Sequence, residues 1–211
     1  MQSQFSSLIE YSFLQPTAKI ASIEKLCNEA KENNYAAVCI PPLFVKKVKL
    51  LLENSSVKIA TVIGFPFGYS AVEAKLAEIV LAILDGADEM DVVINIAALK
   101  NNDWQYLAHE LNAILPVVKS KQKIIKIIIE AGELTDDEII KCCDLYGIAG
   151  VDFLQVSTGF SKEIAGVEKI KLIRKHLADT IGIKAIININ NNTFAQELAD
   201  AGATRLSLSM A

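Results

Sequence analysis

Hydrophobic positions along this chain fall into two alternating patterns. Runs that are apolar almost throughout occupy residues 36–40, 57–63, 89–94, 123–130, 151–156, 182–187 and 204–208. Short, β-branched runs of this kind predict parallel strands buried on both faces. Between them apolar residues recur at helical spacing. Ile20, Ile23, Leu26 and Ala30 form one stripe, and Val72, Leu76, Ile79 and Ile83 another. Trp104, Leu107, Leu111, Ile114 and Val118 make a third, and Val167, Ile170, Ile173 and Leu177 a fourth. Each predicts an amphipathic helix with one buried face.

Polar residues punctuate the pattern. Thr135 followed by Glu138 reads as a capping box opening a helix over 136–145, with Gly147 placed to close it. Asp103 or Asn102 caps the helix that starts at Trp104, while Gly86 and Gly202 stand just past helical stretches. Strand, helix, strand with short connections is the βαβ unit, whose crossover is right-handed. Seven strands, an eighth over 8–13 and a length of 211 residues predict an α/β fold. A closed (β/α)8 TIM barrel fits that count better than an open doubly wound sheet. One domain over 1–211 is expected, since no linker or low-complexity stretch interrupts the pattern.

Composition narrows the function classes. Apolar residues make up 52% of the chain and the net charge is −4. No basic stripe is present, so a nucleic-acid partner is not expected. Lys46, Lys47 and Lys49 read as a solvated helix face. The longest apolar runs, around Lys126, are far too short for a membrane span, and the N-terminus lacks a signal-peptide pattern. A cytoplasmic protein without a membrane partner is the expectation. Cys27, Cys39, Cys142 and Cys143, with His109 and His176, match no zinc spacing. The cysteines are expected to be reduced packing residues, with no metal bound.

In such a barrel the chemistry sits at the C-terminal ends of the strands. Asp91 lies in one strand, Lys126 interrupts another that Glu130 closes, and Lys184 lies in a third. Gln155 and Ser157-Thr158-Gly159 end the strand over 151–156. Buried charges are expensive unless paired. They form either a structural ion-pair network or an acid/base and amine site with mutually shifted pKa values.

Several motifs follow one another in register. They are Val38-Cys39-Ile40-Pro41-Pro42, Ile59-Ala60-Thr61-Val62-Ile63-Gly64-Phe65-Pro66-Phe67-Gly68, and Gly86-Ala87-Asp88-Glu89-Met90-Asp91-Val92-Val93-Ile94-Asn95. Ser157-Thr158-Gly159-Phe160, Gly182-Ile183-Lys184-Ala185 and Ala201-Gly202-Ala203-Thr204-Arg205 continue the series. In this the chain resembles the deoxyribose-phosphate aldolase family over nearly its whole length. The resemblance implies a metal-independent and cofactor-free lyase of deoxyribonucleotide catabolism. Such a class I aldolase cleaves 2-deoxyribose 5-phosphate to glyceraldehyde 3-phosphate and acetaldehyde through a Schiff base on a lysine. It also implies catalytic roles for Asp91, Lys126 and Lys184, and substrate contacts at Glu10, Cys39, Ser157, Thr158, Asn188 and Ser209.

The chain departs from the family pattern at its most important point. The family's Lys-x-Ser-Thr-Gly reads Gln155-Val156-Ser157-Thr158-Gly159 here. An amide has no amine lone pair and forms no imine, although it donates and accepts hydrogen bonds. The family's Lys-Ala-Ser-Gly-Gly-Ile-Arg, whose glycines let backbone amides reach phosphate, reads Lys184-Ala185-Ile186-Ile187-Asn188-Ile189-Asn190. After the eighth strand the chain reads Ser207-Leu208-Ser209-Met210-Ala211, so the family's final helix is expected to be missing. Glu10 replaces an aspartate in the first strand.

Three functions are compatible with these residues. Lys184 takes over as the Schiff-base residue, for which its pKa must fall from about 10.4 toward roughly 7 while Asp91 pulls it upward. Alternatively the barrel binds a small aldehyde or sugar-like ligand without the family chemistry. The third is a non-catalytic interaction or regulatory protein, a pseudoenzyme. Assembly into a homo-oligomer accords with any of them.

Overall fold

The computed structural model describes residues 5–163, 165–187 and 192–210. Eight parallel strands close into a barrel in chain order. They are β1 (Ile9–Ser12), β2 (Ala37–Ile40), β3 (Lys58–Ile63), β4 (Glu89–Val93), β5 (Ile124–Ile128), β6 (Phe153–Gln155), β7 (Gly182–Ile187) and β8 (Arg205–Ser209). Pairing of β8 with β1, from Ile9 beside Leu206 to Ser12 beside Ser209, completes the ring. The helices are α1 (Ile20–Glu32), α2 (Val45–Leu51), α3 (Val72–Asp85), α4 (Ile96–Lys100), α5 (Trp104–Ser120), α6 (Asp136–Ala149), α7 (Val167–His176) and α8 (Asn192–Asp200). The fold is a (β/α)8 TIM barrel. Among the described residues no helix is long and apolar enough to cross a membrane.

Strand alternation divides the chain's apolar residues. Outward positions such as Val38, Ile59, Met90, Val92, Ile125, Ile127, Leu154 and Ile183 join one continuous core with the helices. From the helices come Ile23, Leu26, Ile79, Leu107, Leu111, Ile139, Ile170 and Ile173. The barrel interior differs. A small apolar cluster of Cys39, Ala60 and Val62 lies there, on the β2–β3 side, and charged side chains occupy the centre.

Helix ends follow local chemistry, with one correction. Thr135 and Glu138 form the expected capping box on α6. The helix does not stop at Gly147 but runs to Ala149, and Gly150 caps it in the left-handed conformation at φ 77°. Gly147 instead permits close approach of α7, because a Cβ there would lie 3.3 Å from Leu177 Cδ1. Asp103, not Asn102, caps α5, accepting from Tyr106 N at 3.0 Å. The fifth strand ends at Ile128, so Glu130 lies beyond it, in the left-handed region at φ 51°.

A buried ion pair outside the barrel holds two of the loops at its mouth. Lys75 of α3 meets Glu110 of α5 at 2.5 Å and donates to Val93 O at 2.7 Å. Glu110 accepts from Asn95 N at 3.4 Å. Gly64 leaves room for the lysine, since a Cβ there would lie 2.7 Å from Lys75 Cε.

Candidate functional site

Inward-facing residues of β1, β4, β5, β7 and β8 converge on one buried cluster of charges. Lys126 Nζ lies 2.5 Å from Glu10 Oε2, 2.5 Å from Glu89 Oε2 and 2.9 Å from Asp91 Oδ1. Lys184 Nζ lies 2.5 Å from Asp91 Oδ2 and also pairs with Glu10 Oε1. Arg205 completes the cluster at 3.3 Å from Glu89 and 3.6 Å from Glu10. Three carboxylates therefore face three cations, and this matching offsets the cost of taking them out of water.

Each titration is displaced. Burial alone would raise the Glu10 carboxyl, but Lys126, Lys184 and Arg205 hold it well below the usual carboxylate range. Burial and the neighbouring Glu10 raise Asp91 against the pull of the two lysines. Burial works to lower both lysines, yet the surrounding carboxylates hold Lys126 and Lys184 above the ordinary lysine value. Two carboxylates contact Lys184, and both favour its protonated form. Burial also raises Cys39 far above the usual thiol range, and its Sγ faces Asp91 Oδ2 at 3.8 Å.

Donor atoms of Glu10, Cys39 and Asp91 lie within 4.8 Å of one another. A cation there would compete with Lys126 and Lys184, which already hold both carboxylates. The trio suits an ammonium better than a metal ion.

Above the cluster lies a cavity of about 130 Å³, lined by Ser12, Cys39, Asp91, Gln155, Thr158, Lys184, Ile186, Ser207 and Ser209 with Val62, Phe160 and others. Gln155 donates from Nε2 to Ser157 O at 2.8 Å, and its buried Oε1 has no partner among the described residues. Ile186 faces the cavity, whereas Ile187 and Leu208 point outward and line a separate pocket with Ile9 and Ala195. Phe160 packs edge-on against Phe65 at 5.2 Å and forms part of the rim. An adjoining groove of about 410 Å³ shares Thr158 and Phe160 with the cavity.

The loop after β6 is fastened by Glu130. Its carboxylate accepts from Ser157 Oγ at 2.5 Å, Thr158 N at 3.0 Å and Thr158 Oγ1 at 2.5 Å. Ser12 Oγ lies 3.4 Å from Ser209 Oγ.

The structure thus brings Glu10, Cys39, Asp91, Lys126, Gln155, Thr158, Lys184 and Ser209 into one cluster and the cavity above it. Ser157 is buried beside it, on Glu130, and is absent from the cavity lining. Asn188 lies outside the described residues. Sequence reasoning did not single out Glu89 and Arg205 as site residues. Glu89 is two positions from Asp91, on the same strand face, and that period of two was the available signal.

Residues 7–193 match the family described as DeoC/LacD family aldolase. A protein of Thermoanaerobacter pseudethanolicus named deoxyribose-phosphate aldolase is 41% identical, over 97% of this chain and 92% of its own length. A protein of the same name from Caldicellulosiruptor saccharolyticus is 42% identical, over 99% of this chain and 95% of its own. Among solved structures, the deoxyribose phosphate aldolase of Aeropyrum pernix, described as a tetramer, superposes with a TM-score of 0.88. It is 26% identical and covers 96% of this chain and 86% of its own.

Proposed function

The chain belongs to the DeoC/LacD aldolase family, and from that premise we propose that it is a divergent member that binds a small ligand at the barrel mouth without forming a Schiff base. One observation carries the reading: among the described residues, no side chain lining the cavity offers a free amine. Position 155 is a glutamine, and Lys184 is held as an ammonium between Glu10 and Asp91. An amine must be deprotonated to attack a carbonyl, and two contacting carboxylates oppose that. The cavity retains about 130 Å³ with polar and apolar side chains together in its wall, which favours a bound small molecule over a barrel plugged by its own side chains.

The test is borohydride trapping with deoxyribose 5-phosphate and with acetaldehyde, read by intact-protein mass spectrometry beside Lys184→Ala. The expected result is no adduct on a folded protein. An adduct on the native chain that disappears in the variant would make Lys184 the nucleophile and overturn the reading.

Self-association belongs to the same proposal. Leu50 of α2 and Leu81 and Leu84 of α3 are exposed on adjacent helices, and the Aeropyrum pernix relative is tetrameric. Light scattering over a range of concentrations should give a mass above that of the monomer, and a monomer throughout would remove this part.

A further inference from the structure

Phe160 stands where three spaces at the barrel mouth adjoin. It lines both the central cavity of about 130 Å³ and the neighbouring groove of about 410 Å³. Its ring packs edge-on against Phe65, with centroids 5.2 Å apart. Phe65 rests on the inner cluster of Cys39, Ala60 and Val62 and lines a third pocket of about 450 Å³. That pocket shares Leu14, Gln15 and Val62 with the central cavity. The two touching rings thus form a wall between neighbouring spaces.

Cavity and groove share Thr158 and Phe160, and the two residues are held differently. Thr158 is buried, with its amide and hydroxyl tied to Glu130. Phe160 is 48% exposed. Its backbone is placed by the turn around it. Phe160 N donates to Thr158 Oγ1 at 3.1 Å, and Gly159 N donates to Ser157 Oγ at 3.1 Å. Gly159 itself adopts the left-handed conformation, at φ 81°. A phenyl ring left half in water forgoes much of the stabilisation that burial would give it. The turn, more than core packing, therefore sets the ring's position. Its removal opens no enclosed void of the kind that makes a core Phe→Ala change costly.

Resting on the reading that this cavity binds a small molecule, we infer that Phe160, braced by Phe65, sets the length of ligand it accepts by closing it off from the groove. A volume of about 130 Å³ has room for roughly four to nine non-hydrogen atoms. The groove beyond the ring presents Pro66, Phe67 and Ile96 alongside Lys100, Glu133 and Lys162. A carbon chain passing position 160 would gain apolar contact there. Without the ring, cavity and groove become one elongated site with Asp91 and Lys184 at its inner end. The charges beneath that end are matched, with Glu10, Glu89 and Asp91 facing Lys126, Lys184 and Arg205, so uncharged molecules suit it.

Methyl NMR on the full chain, titrated with 1-propanol, 1-butanol, 1-hexanol and 1-octanol, tests the inference. Ile186 reports on the cavity and Ile96 on the groove. In the native chain the two shorter alcohols should shift Ile186 saturably, and 1-octanol should act there at least about tenfold more weakly than 1-butanol. In Phe160→Ala, 1-octanol should bind at least about tenfold more tightly than in the native chain, a gain that burial of its four additional methylenes supports. It should also show NOEs to Ile186 and Ile96 together. A thermal melt checks folding. Phe160→Leu, which keeps an apolar side chain at the rim, should give an intermediate length limit and decides by the same comparison if the alanine variant does not fold. Native binding of 1-octanol at Ile186 as tight as that of 1-butanol, or one length limit shared by native chain and folded variant, would overturn the inference and leave the binding reading standing. No shift at Ile186 with any alcohol in either protein would remove the binding reading, and the inference with it. A borohydride adduct would refute only the absence of a Schiff base.

Discussion

Gln155 of β6 and Lys184 of β7 are register partners, directly side by side across a parallel ladder. The Lys184 ammonium stands next to the one place where the family pattern has its nucleophile, held there by Asp91 and Glu10. If the resemblance holds position by position, Gln155 stands where a nucleophilic lysine is expected and Lys184 beside it.

Gln155→Lys should restore covalent chemistry. The new amine would be buried beside an existing ammonium, and both influences lower a lysine pKa. Trapping with acetaldehyde and borohydride should then give an adduct on the variant that the native chain does not form, increasing as pH is raised from neutral. A folded variant that gives no adduct would mean that other changes around the cavity, Ile186 among them, also block the chemistry.

Lys126→Met should destabilise the fold by about 3–5 kcal/mol, since removing one member of a buried network strands its partners. Glu10, Glu89 and Asp91 would be left with two cations. Adding Glu89→Gln to the variant rebalances the cluster at two against two and should recover part of the loss. Urea unfolding of the three proteins measures this. Equal stability of native chain and single variant would show that the network contributes nothing net.

The fold was largely legible in the chain because strands buried on both faces are apolar throughout and the helices between them are striped. Most of what escaped depended on contacts between elements distant in the chain. Gly147 has the residue type of a helix end, but its role is the distance between α6 and α7 at Leu177. Lys75 lies on the buried face of α3 and is explained by Glu110, 35 residues away, and by Val93 O. Arg205 becomes part of the site through closure of β8 onto β1, which brings it to Glu10. Ile186 and Ile187 look equivalent in sequence, yet alternation sends one into the cavity and the other toward the helices. Asp91, Lys126, Gln155 and Lys184 were legible because polar groups in apolar strands stand out.

The same charges should set both limits of the pH–stability profile. Glu10 has a folded pKa below its ordinary 4.5, so the stability it contributes is complete above that pH and is lost as pH falls through the lower, folded value. Lys126 and Lys184 have folded values above their ordinary 10.5, so their contribution is complete below that pH and is lost as pH rises. Asp91, raised by burial, works in the opposite sense to Glu10 and softens the acid limb. Melts across the pH range should show a plateau between these limits, and Glu10→Gln should flatten the acid side. An unchanged acid limb in that variant would assign the loss to other carboxylates.

Glu130 should control the mobility of the loop that carries the cavity rim. Its own backbone sits at φ 51°, a conformation that costs a non-glycine residue of order 1–3 kcal/mol. That cost is offset by hydrogen bonds to Ser157 Oγ, Thr158 N and Thr158 Oγ1, which tie the end of β5 to the turn after β6. Glu130→Ala removes all of them and leaves the Thr158 amide without its acceptor. A loss of about 2–3 kcal/mol is expected, allowing for one charged acceptor and several neutral donors. The local consequence discriminates more sharply than the global one. Thr158 N–H should exchange with deuterium much faster in the variant, while Leu107 and Ile139 in the outer core stay protected. Uniform acceleration across the chain would mean that Glu130 stabilises the fold as a whole, and unchanged exchange at Thr158 would mean that the loop holds its shape without it.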